Sequence, residues 1–261
     1  MPDDPSDRVA NTEAPNPQLP VAQRLRIRYA KRGRLRFTSH RDFSRAFERA
    51  VRRTGLPIAF SSGYSPHPRI SYAGASPTGA SSEAEYLEIA LTRECDLSHV
   101  HAALDEALPD GLDVLTVVPA HAGALADLLE AGAWQIALPG VPEGDVRAAV
   151  DAFLAAESIE VSRMTKKGLR AFDCRAAVVR LVASTGRLRG EPCAILEVVV
   201  RHGVPSVRPD DVLAGLREIA GLESPIPPEQ TRLAQGPLDL RTGTVGDPFA
   251  SDRDASQEQF S

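Results

Sequence analysis

The residues best suited to chemistry in this chain are concentrated near its start. Between residues 24 and 53 stand Arg24, Arg26, Arg28, Lys31, Arg32, Arg34, Arg36, Arg41, Arg45, Arg49, Arg52 and Arg53, opposed only by Asp42 and Glu48. The chain carries a formal net charge of -5 over 261 residues, so everything outside this stretch is strongly acidic. Salt screens charges over a Debye length of about 8–10 Å, and a ligand at this segment therefore meets the local arginines. An anionic partner is the expectation, with RNA the first candidate.

Within the segment, Gly33 to Asp42 combines a flexible glycine, several cations and the start of a helix. Free backbone N–H groups at such a start, together with Arg34, Arg36, Ser39, His40 and Arg41, make a seat for phosphate, and Arg45 and Arg49 extend it along the helix. His40 falls in the first helical turn, where the dipole disfavours an imidazolium. A neutral imidazole beside arginines could take a proton from an RNA 2′-hydroxyl. Spacing identifies no second catalytic group, so no catalytic residue is assigned and His40 stands as the one candidate, against a plain surface or capping role.

A second cluster runs from Phe60 to Ser71. Gly63 permits a close approach of backbone, Pro66 and Pro68 stiffen the loop, Tyr64 and His67 can stack on or bond to a base, and Arg69 can hold a phosphate. A crossover whose prolines only set its course is the competing reading. Lys166-Lys167-Gly168-Leu169-Arg170 reads as a basic hairpin tip, Asp173 and Arg175 as a structural ion pair on one strand face, and Arg208 as an anion contact or a solvated residue at a helix start.

These residues need a frame. Leu25, Ile27 and Tyr29 alternate with arginines, which predicts a strand with a basic solvent face. Leu35–Thr38 reads as extended. Ser39 caps a helix with Asp42 as its partner, Phe43, Ala46, Phe47, Ala50 and Val51 form the buried stripe, and Gly55 ends it. A strand at Pro57–Ser61, a loop over 62–79, a strand around Tyr86–Leu91, a helix at Leu97–Leu108 and a strand at Asp113–Val118 complete a first βαββαβ unit. The pattern then recurs: strand Trp134–Leu138, helix Glu143–Ala155, strand Ile159–Met164, strands Ala176–Val182 and Ala194–Arg201, helix Pro209–Ile219, and Thr231–Ala234 as a closing edge strand. The predicted architecture is α+β, two tandem ferredoxin-like units over 22–118 and 133–240. A disordered leader (1–21), a connector (119–132) with a helix at Ala124–Glu130 and a disordered acidic tail (241–261) complete the chain.

Composition narrows the function classes. Hydrophobic content of 43% and charged content of 25% suit a soluble globular protein, and no apolar run is long enough to span a bilayer. The N-terminus lacks the basic start and apolar core of a signal peptide, and a cytoplasmic location is expected. Cys95, Cys174 and Cys193 have the spacing of neither a zinc site nor an iron–sulfur cluster, so free thiols in a reducing compartment are expected and no metal site is assigned.

Two runs resemble the hallmarks of a bacterial family of unknown function, the radical-SAM-linked or radical-SAM-associated proteins. They are Arg34-Leu35-Arg36-Phe37-Thr38-Ser39-His40-Arg41-Asp42 and Phe60-Ser61-Ser62-Gly63-Tyr64-Ser65-Pro66-His67-Pro68-Arg69-Ile70-Ser71. Gly79-Ala80-Ser81-Ser82-Glu83-Ala84-Glu85-Tyr86 and Ser206-Val207-Arg208-Pro209 are similar as well. After Asp173-Cys174-Arg175 the family continues with a Pro and an aromatic, where this chain has Ala176 and Ala177. The resemblance covers about residues 22–235. It implies an accessory chain, separate from or fused to a radical-SAM protein, with no activity of its own attached. The iron–sulfur cluster and S-adenosylmethionine would then belong to the partner. The tandem architecture also resembles that of RNA-processing endonucleases of CRISPR systems, which use a His near the first helix. His40 suits that role, but Gln235-Gly236 is a poor match to their glycine loop.

Three readings follow. The first is an RNA-binding or partner-binding accessory protein that works with a radical-SAM enzyme in RNA modification or processing. The second is a metal-independent endoribonuclease with His40 as general base. In the third, the chain is a pure protein-interaction subunit whose basic segment meets an acidic protein. Sequence alone leaves the oligomeric state open.

Overall fold

The computed structural model describes residues 19–121, 123–165 and 168–258. Most of the expected leader and the Lys166-Lys167 tip lie outside the described residues. Among the described residues the strands are β1 (Gln23–Lys31), β2 (Ile70–Ala73), β3 (Ser81–Leu91), β4 (Val114–Pro119), β5 (Ala131–Leu138), β6 (Glu160–Thr165), β7 (Gly168–Asp173), β8 (Val178–Leu188), β9 (Glu191–Arg201), β10 (Glu229–Gly236), β11 (Leu238–Asp239) and β12 (Thr244–Val245). The helices are α1 (His40–Thr54), α2 (Leu97–Ala107), α3 (Glu143–Ala155), α4 (Pro209–Ala220) and α5 (Ala250–Glu258). The fold is mixed α+β.

One eight-stranded sheet carries the molecule, in the order β4-β1-β3-β10-β5-β9-β8, with β2 paired to β3. All its pairings are antiparallel except β3 with β10, which is parallel and registers only Thr231 with Ser81 and Arg232 with Ser82. β3 is long enough to serve two neighbours on one side: β2 pairs with Tyr86–Ile89, and β10 takes over at Ser81–Ser82. At the changeover Gly74, with φ +58, lets the chain leave β2 close over Gln235.

Helices α1 to α4 pack on one face. Leu25, Ile27 and Tyr29 of β1 and Leu87, Ile89 and Leu91 of β3 share a core with Phe43, Phe47, Val51, Val100 and Leu104 from α1 and α2. Trp134, Ile136 and Leu138 of β5 and Leu196, Val198 and Val200 of β9 share another with α3 and α4. Ser39 Oγ accepts the Asp42 N–H at 3.2 Å at the start of α1, and Gly55, at φ 69, ends it. Truncating a fully buried side chain such as Phe47 to Ala costs about 3–5 kcal/mol.

Several expectations are revised. Pro57–Ser61 makes only isolated bridges, Ile58 to Leu91 and Phe60 to Pro68, and the paired strand is Ile70–Ala73, inside the segment read as loop. Four alternating residues among Gly, Pro and Ser give too short a signal to stand out. Gly33–Phe37 is a 3-10 helix instead of an extended stretch, because Gly33 at φ 55 lets Leu35 and Thr38 donate to the carbonyls of Arg32 and Leu35. Ile159–Met164 lies in a separate hairpin, β6 with β7, off the main sheet. Asp173 and Arg175 form no side-chain ion pair among the described residues: Asp173 Oδ1 accepts the N–H groups of Ile159 and Arg175, while the Arg175 guanidinium donates to the carbonyls of Val178 and Leu154. The connector forms a 3-10 turn at Leu125–Leu128. β10, expected at an edge, is central to the sheet.

The basic solvent face of β1 is largely covered. Arg26 is buried, and the segment after β10 crosses this opposite face of the sheet. There Phe249 packs edge-on against Tyr86, with Leu125 and Leu129 beside it. The segment expected as a disordered tail thus contains α5, held because burial of Phe249 and pairing of Asp252 with Arg26 offset the cost of ordering it.

Candidate functional site: a cleft between two helix starts

α1 and α4 begin on either side of the β3–β10 junction, and a cleft of 680 Å³ lies between them. His40 and the 74–78 loop line one side, Ser206 to Asp210 the other, and Trp134, Val200, His202, Arg232 and Gln235 the sheet between.

A buried polar network joins the two halves of the sheet at this junction. Arg232 donates from Nε to Ser82 Oγ at 3.2 Å, from Nη1 to Gln235 Oε1 at 3.2 Å, and from Nη2 to the Glu85 carboxylate. Its guanidinium also lies 5.3 Å from the centre of the Trp134 ring. Glu85 Oε2 accepts the Ser76 N–H at 3.1 Å, which ties the 74–78 loop to the network. Burial alone would raise the Glu85 carboxyl, but Arg232, Ser82 and Lys31 hold it below the usual carboxylate range. Lys31 is buried beside them with its ammonium 3.4 Å from the Pro77 carbonyl; burial lowers its pKa, against the pull of Glu85.

His202 Nδ1 lies 2.7 Å from the Leu129 carbonyl, so that nitrogen carries the proton and donates. Burial lowers the imidazole pKa, partly offset by this bond, and Arg232 lowers it further. The neutral ring keeps Nε2 as an acceptor. Trp134 is 6% exposed, and its Nε1–H has no hydrogen-bond partner among the described residues. Both nitrogens converge on Gly132, where a Cβ would stand 3.0 Å from Trp134 Nε1 and 3.3 Å from His202 Nε2.

The residues singled out by sequence are placed as follows. Arg41, Arg45 and Arg49 are exposed along α1 with Arg52, and none of the four has an ion-pair partner among the described residues. Arg34 is exposed on the 3-10 turn, while Arg36 is committed to Glu229, 2.9 Å away at the start of β10. Ser39 also donates to Asp42 Oδ2 at 2.7 Å, which makes it a cap. His40 lies edge-on to Tyr72, with ring centres 5.2 Å apart, at the cleft. Tyr64 is 90% exposed, His67 is exposed and Arg69 is half-buried. Their loop closes on itself, with Ser61 N–H donating to the His67 carbonyl, next to the strand-like pairing of Ala59 and Arg69 with Ala90.

The two sequence clusters do not form one compact surface. Arg36 bonds to Gly79 near the Ser82 end of β3, whereas the Tyr64 loop sits at the Ala90 end, roughly 26 Å of strand away. The exposed face of α1 runs between them. Sequence reading named His40 and Arg208 at the cleft and missed Trp134, His202, Arg232 and Gln235. An arginine inside an apolar strand pattern, and the single tryptophan of the chain, were the available signals.

The chain belongs to a bacterial family described as "Uncharacterized protein conserved in bacteria (DUF2344)", which matches residues 24–209. No curated protein matches. A chain from the "Crystal Structure of a Cbf5-Nop10-Gar1 Complex" is similar at 12% identity and a TM-score of 0.40, covering 81% of this chain and 48% of that one. This protein therefore spans about half the length of that chain. A chain of the encapsulated DyP-type peroxidase from Mycobacterium smegmatis is similar at 11% identity and a TM-score of 0.22, covering 85% and 94%. Neither likeness reaches the level at which a shared fold or function follows. Among the described residues no helix is long and apolar enough to cross a membrane, and no group of three or more His, Cys, Asp or Glu side chains is placed to hold a metal ion.

Proposed function

We propose that this protein is a cytoplasmic RNA-binding accessory chain that presents RNA to a radical-SAM partner for modification or processing. The observation that carries the reading is the row of exposed arginines along α1, Arg41, Arg45, Arg49 and Arg52, without ion-pair partners among the described residues, which starts at the cleft and follows the turn that exposes Arg34. A structural surface arginine is ordinarily matched by nearby acids, and an unmatched row favours a polyanion. The iron–sulfur cluster and S-adenosylmethionine are assigned to the partner. Cys95, Cys174 and Cys193 suit that division, since they stand in separate parts of the chain, before α2, after β7 and in β9, and burial pushes the Cys174 thiol up to about 12. In the same reading the halves 22–118 and 133–240 are tandem ferredoxin-like units. In each, four strands run antiparallel, the first lying between the fourth and the third and the second beyond the third.

The test is affinity for single-stranded RNA at low salt, with and without the partner. Arg41→Glu with Arg45→Glu should weaken RNA binding and leave the fold intact. No measurable RNA affinity in either setting ends the proposal. Loss of the partner complex with unchanged RNA binding would favour the protein-interaction reading.

A second reading, metal-independent RNA cleavage, is favoured by one observation: His40 and His202 line the same cleft, which offers the second titratable group that spacing did not reveal. His40 would take the 2′-hydroxyl proton, the 2′-oxygen would attack the adjacent phosphorus, and the 5′-oxygen would leave with a proton from solvent, while neutral His202 Nε2 would accept a hydrogen bond from the substrate. Products ending in a 2′,3′-cyclic phosphate, lost in His40→Ala with binding retained, are its signature.

A further inference from the structure

We infer that the cleft between α1 and α4 takes one nucleoside phosphate, with the base inside and the phosphate at the mouth; this rests on the RNA-binding reading for its source, an everted nucleotide of bound RNA.

The floor of the cleft offers a donor and an acceptor side by side. Trp134 Nε1–H has no partner among the described residues, and neutral His202 keeps Nε2 open as an acceptor because Nδ1–H is spent on Leu129. Gly132 leaves the space where the two nitrogens meet. A group that satisfies both must carry an acceptor next to a donor, as the hydrogen-bonding edge of each nucleobase does. Val200 and Val207 supply apolar wall beside the Trp134 ring, which suits a flat aromatic body.

The mouth differs in kind. Arg208 and His40 face it from the starts of α4 and α1. Arg208 has no ion-pair partner among the described residues, and His40 heads the arginine row of α1. Asp210 is the one carboxylate lining the cleft, and it already accepts from Gln230 Nε2. The 680 Å³ volume falls within the range of about 300–1,000 Å³ usual for small-molecule sites. A base enters such a site only after leaving its stack, which costs least in single-stranded RNA.

Trp134 is the only tryptophan in the chain, so its emission reports on the cleft directly. The full-length protein would be titrated with single-stranded RNA carrying 2-aminopurine at successive positions, and separately with the four nucleoside 5′-monophosphates. Quenching of Trp134 by RNA, together with a several-fold change at one 2-aminopurine position, is the expected result. Trp134→Phe keeps an aromatic ring, though a smaller one, and removes the donor. It should weaken binding, followed by 2-aminopurine, about tenfold, and Gly132→Ala should do the same by filling the space between the nitrogens. RNA that binds without moving Trp134 emission would overturn the inference and leave the RNA-binding reading standing. If RNA does not bind at all, that reading falls, and the monophosphates decide the cleft. Quenching then assigns the site to free nucleotide, and a flat titration at millimolar monophosphate overturns it.

Discussion

Arg26 of β1 and Asp252 of α5 form an ion pair across the back of the sheet, with Nη1 3.0 and 2.8 Å from the two carboxylate oxygens and both side chains only 1% exposed. Asp252 Oδ1 also accepts the His121 N–H at 3.1 Å, and Arg26 Nη2 donates to the Gly123 carbonyl at 2.6 Å. The pair therefore binds the first strand, the connector and the last helix together.

Asp252→Asn removes the closer of two carboxylates that offset a buried guanidinium, leaving Glu88 3.4 Å from Arg26 Nε. The expected loss is about 1–3 kcal/mol in urea unfolding. Replacing both partners, Arg26→Met with Asp252→Leu, should recover most of it, because an apolar pair has no desolvation cost. A loss under about 1 kcal/mol in the single variant would show that α5 is not held through this contact.

Stability should fall with acid in a window set by His202. Its folded pKa lies below the usual 6.5, so the unfolded state binds the extra proton first. The contribution is complete above pH 6.5 and is lost as pH drops through the lowered folded value. Urea midpoints measured between pH 7.5 and 5.5 should show this slope, and His202→Phe should flatten it. An identical slope in that variant would place the proton elsewhere.

Gly215 and Gly144 should respond to alanine with opposite signs. A Cβ on Gly215 would lie 2.8 Å from both Cys174 Sγ and Phe153 Cε2 in the core beneath α4. Overpacking of about 1–3 kcal/mol should outweigh the gain in helix propensity. A Cβ on exposed Gly144 in α3 meets nothing within 4 Å, and alanine there should stabilise by about 0.5–1 kcal/mol. Thermal unfolding of the two variants side by side checks both.

The α1 arginines should set the salt dependence of RNA binding. Each phosphate neutralised on a single strand contributes about -0.7 to the slope of log K against log salt. Arg45→Glu should reduce that slope by roughly one phosphate, with unfolding changed by less than about 0.5 kcal/mol. An unchanged slope would remove Arg45 from the interface.

The local grammar of the chain was legible from sequence wherever one element satisfied itself. Ser39, Asp42, the Phe43–Phe47–Ala50–Val51 stripe and Gly55 specify α1 and both its ends, because caps and amphipathic period act within a few residues. The alternation in β1 and the apolar run of β9 were equally plain, as was the cation cluster around α1. Composition misled at the C-terminus: the acidic, polar stretch after Leu240 reads as tail, yet two of its residues, Phe249 and Asp252, find their partners more than 160 residues back, at Tyr86 and Arg26.

Tertiary structure alone decided where the halves meet. β10 joins β3 through just two registered residue pairs, and Arg232 reaches Glu85 across 147 positions of chain, contacts that no local period encodes. The cleft follows from that junction: Trp134 of β5 and His202 and Arg208 of the β9–α4 connector meet His40 and the 74–78 loop only once β10 stands between β3 and β5. Sequence thus determined the helix and its charge, since these depend on neighbours in the chain. The sheet order, the burial of Arg26 and the cleft depend on neighbours in space, and only the folded protein sets them.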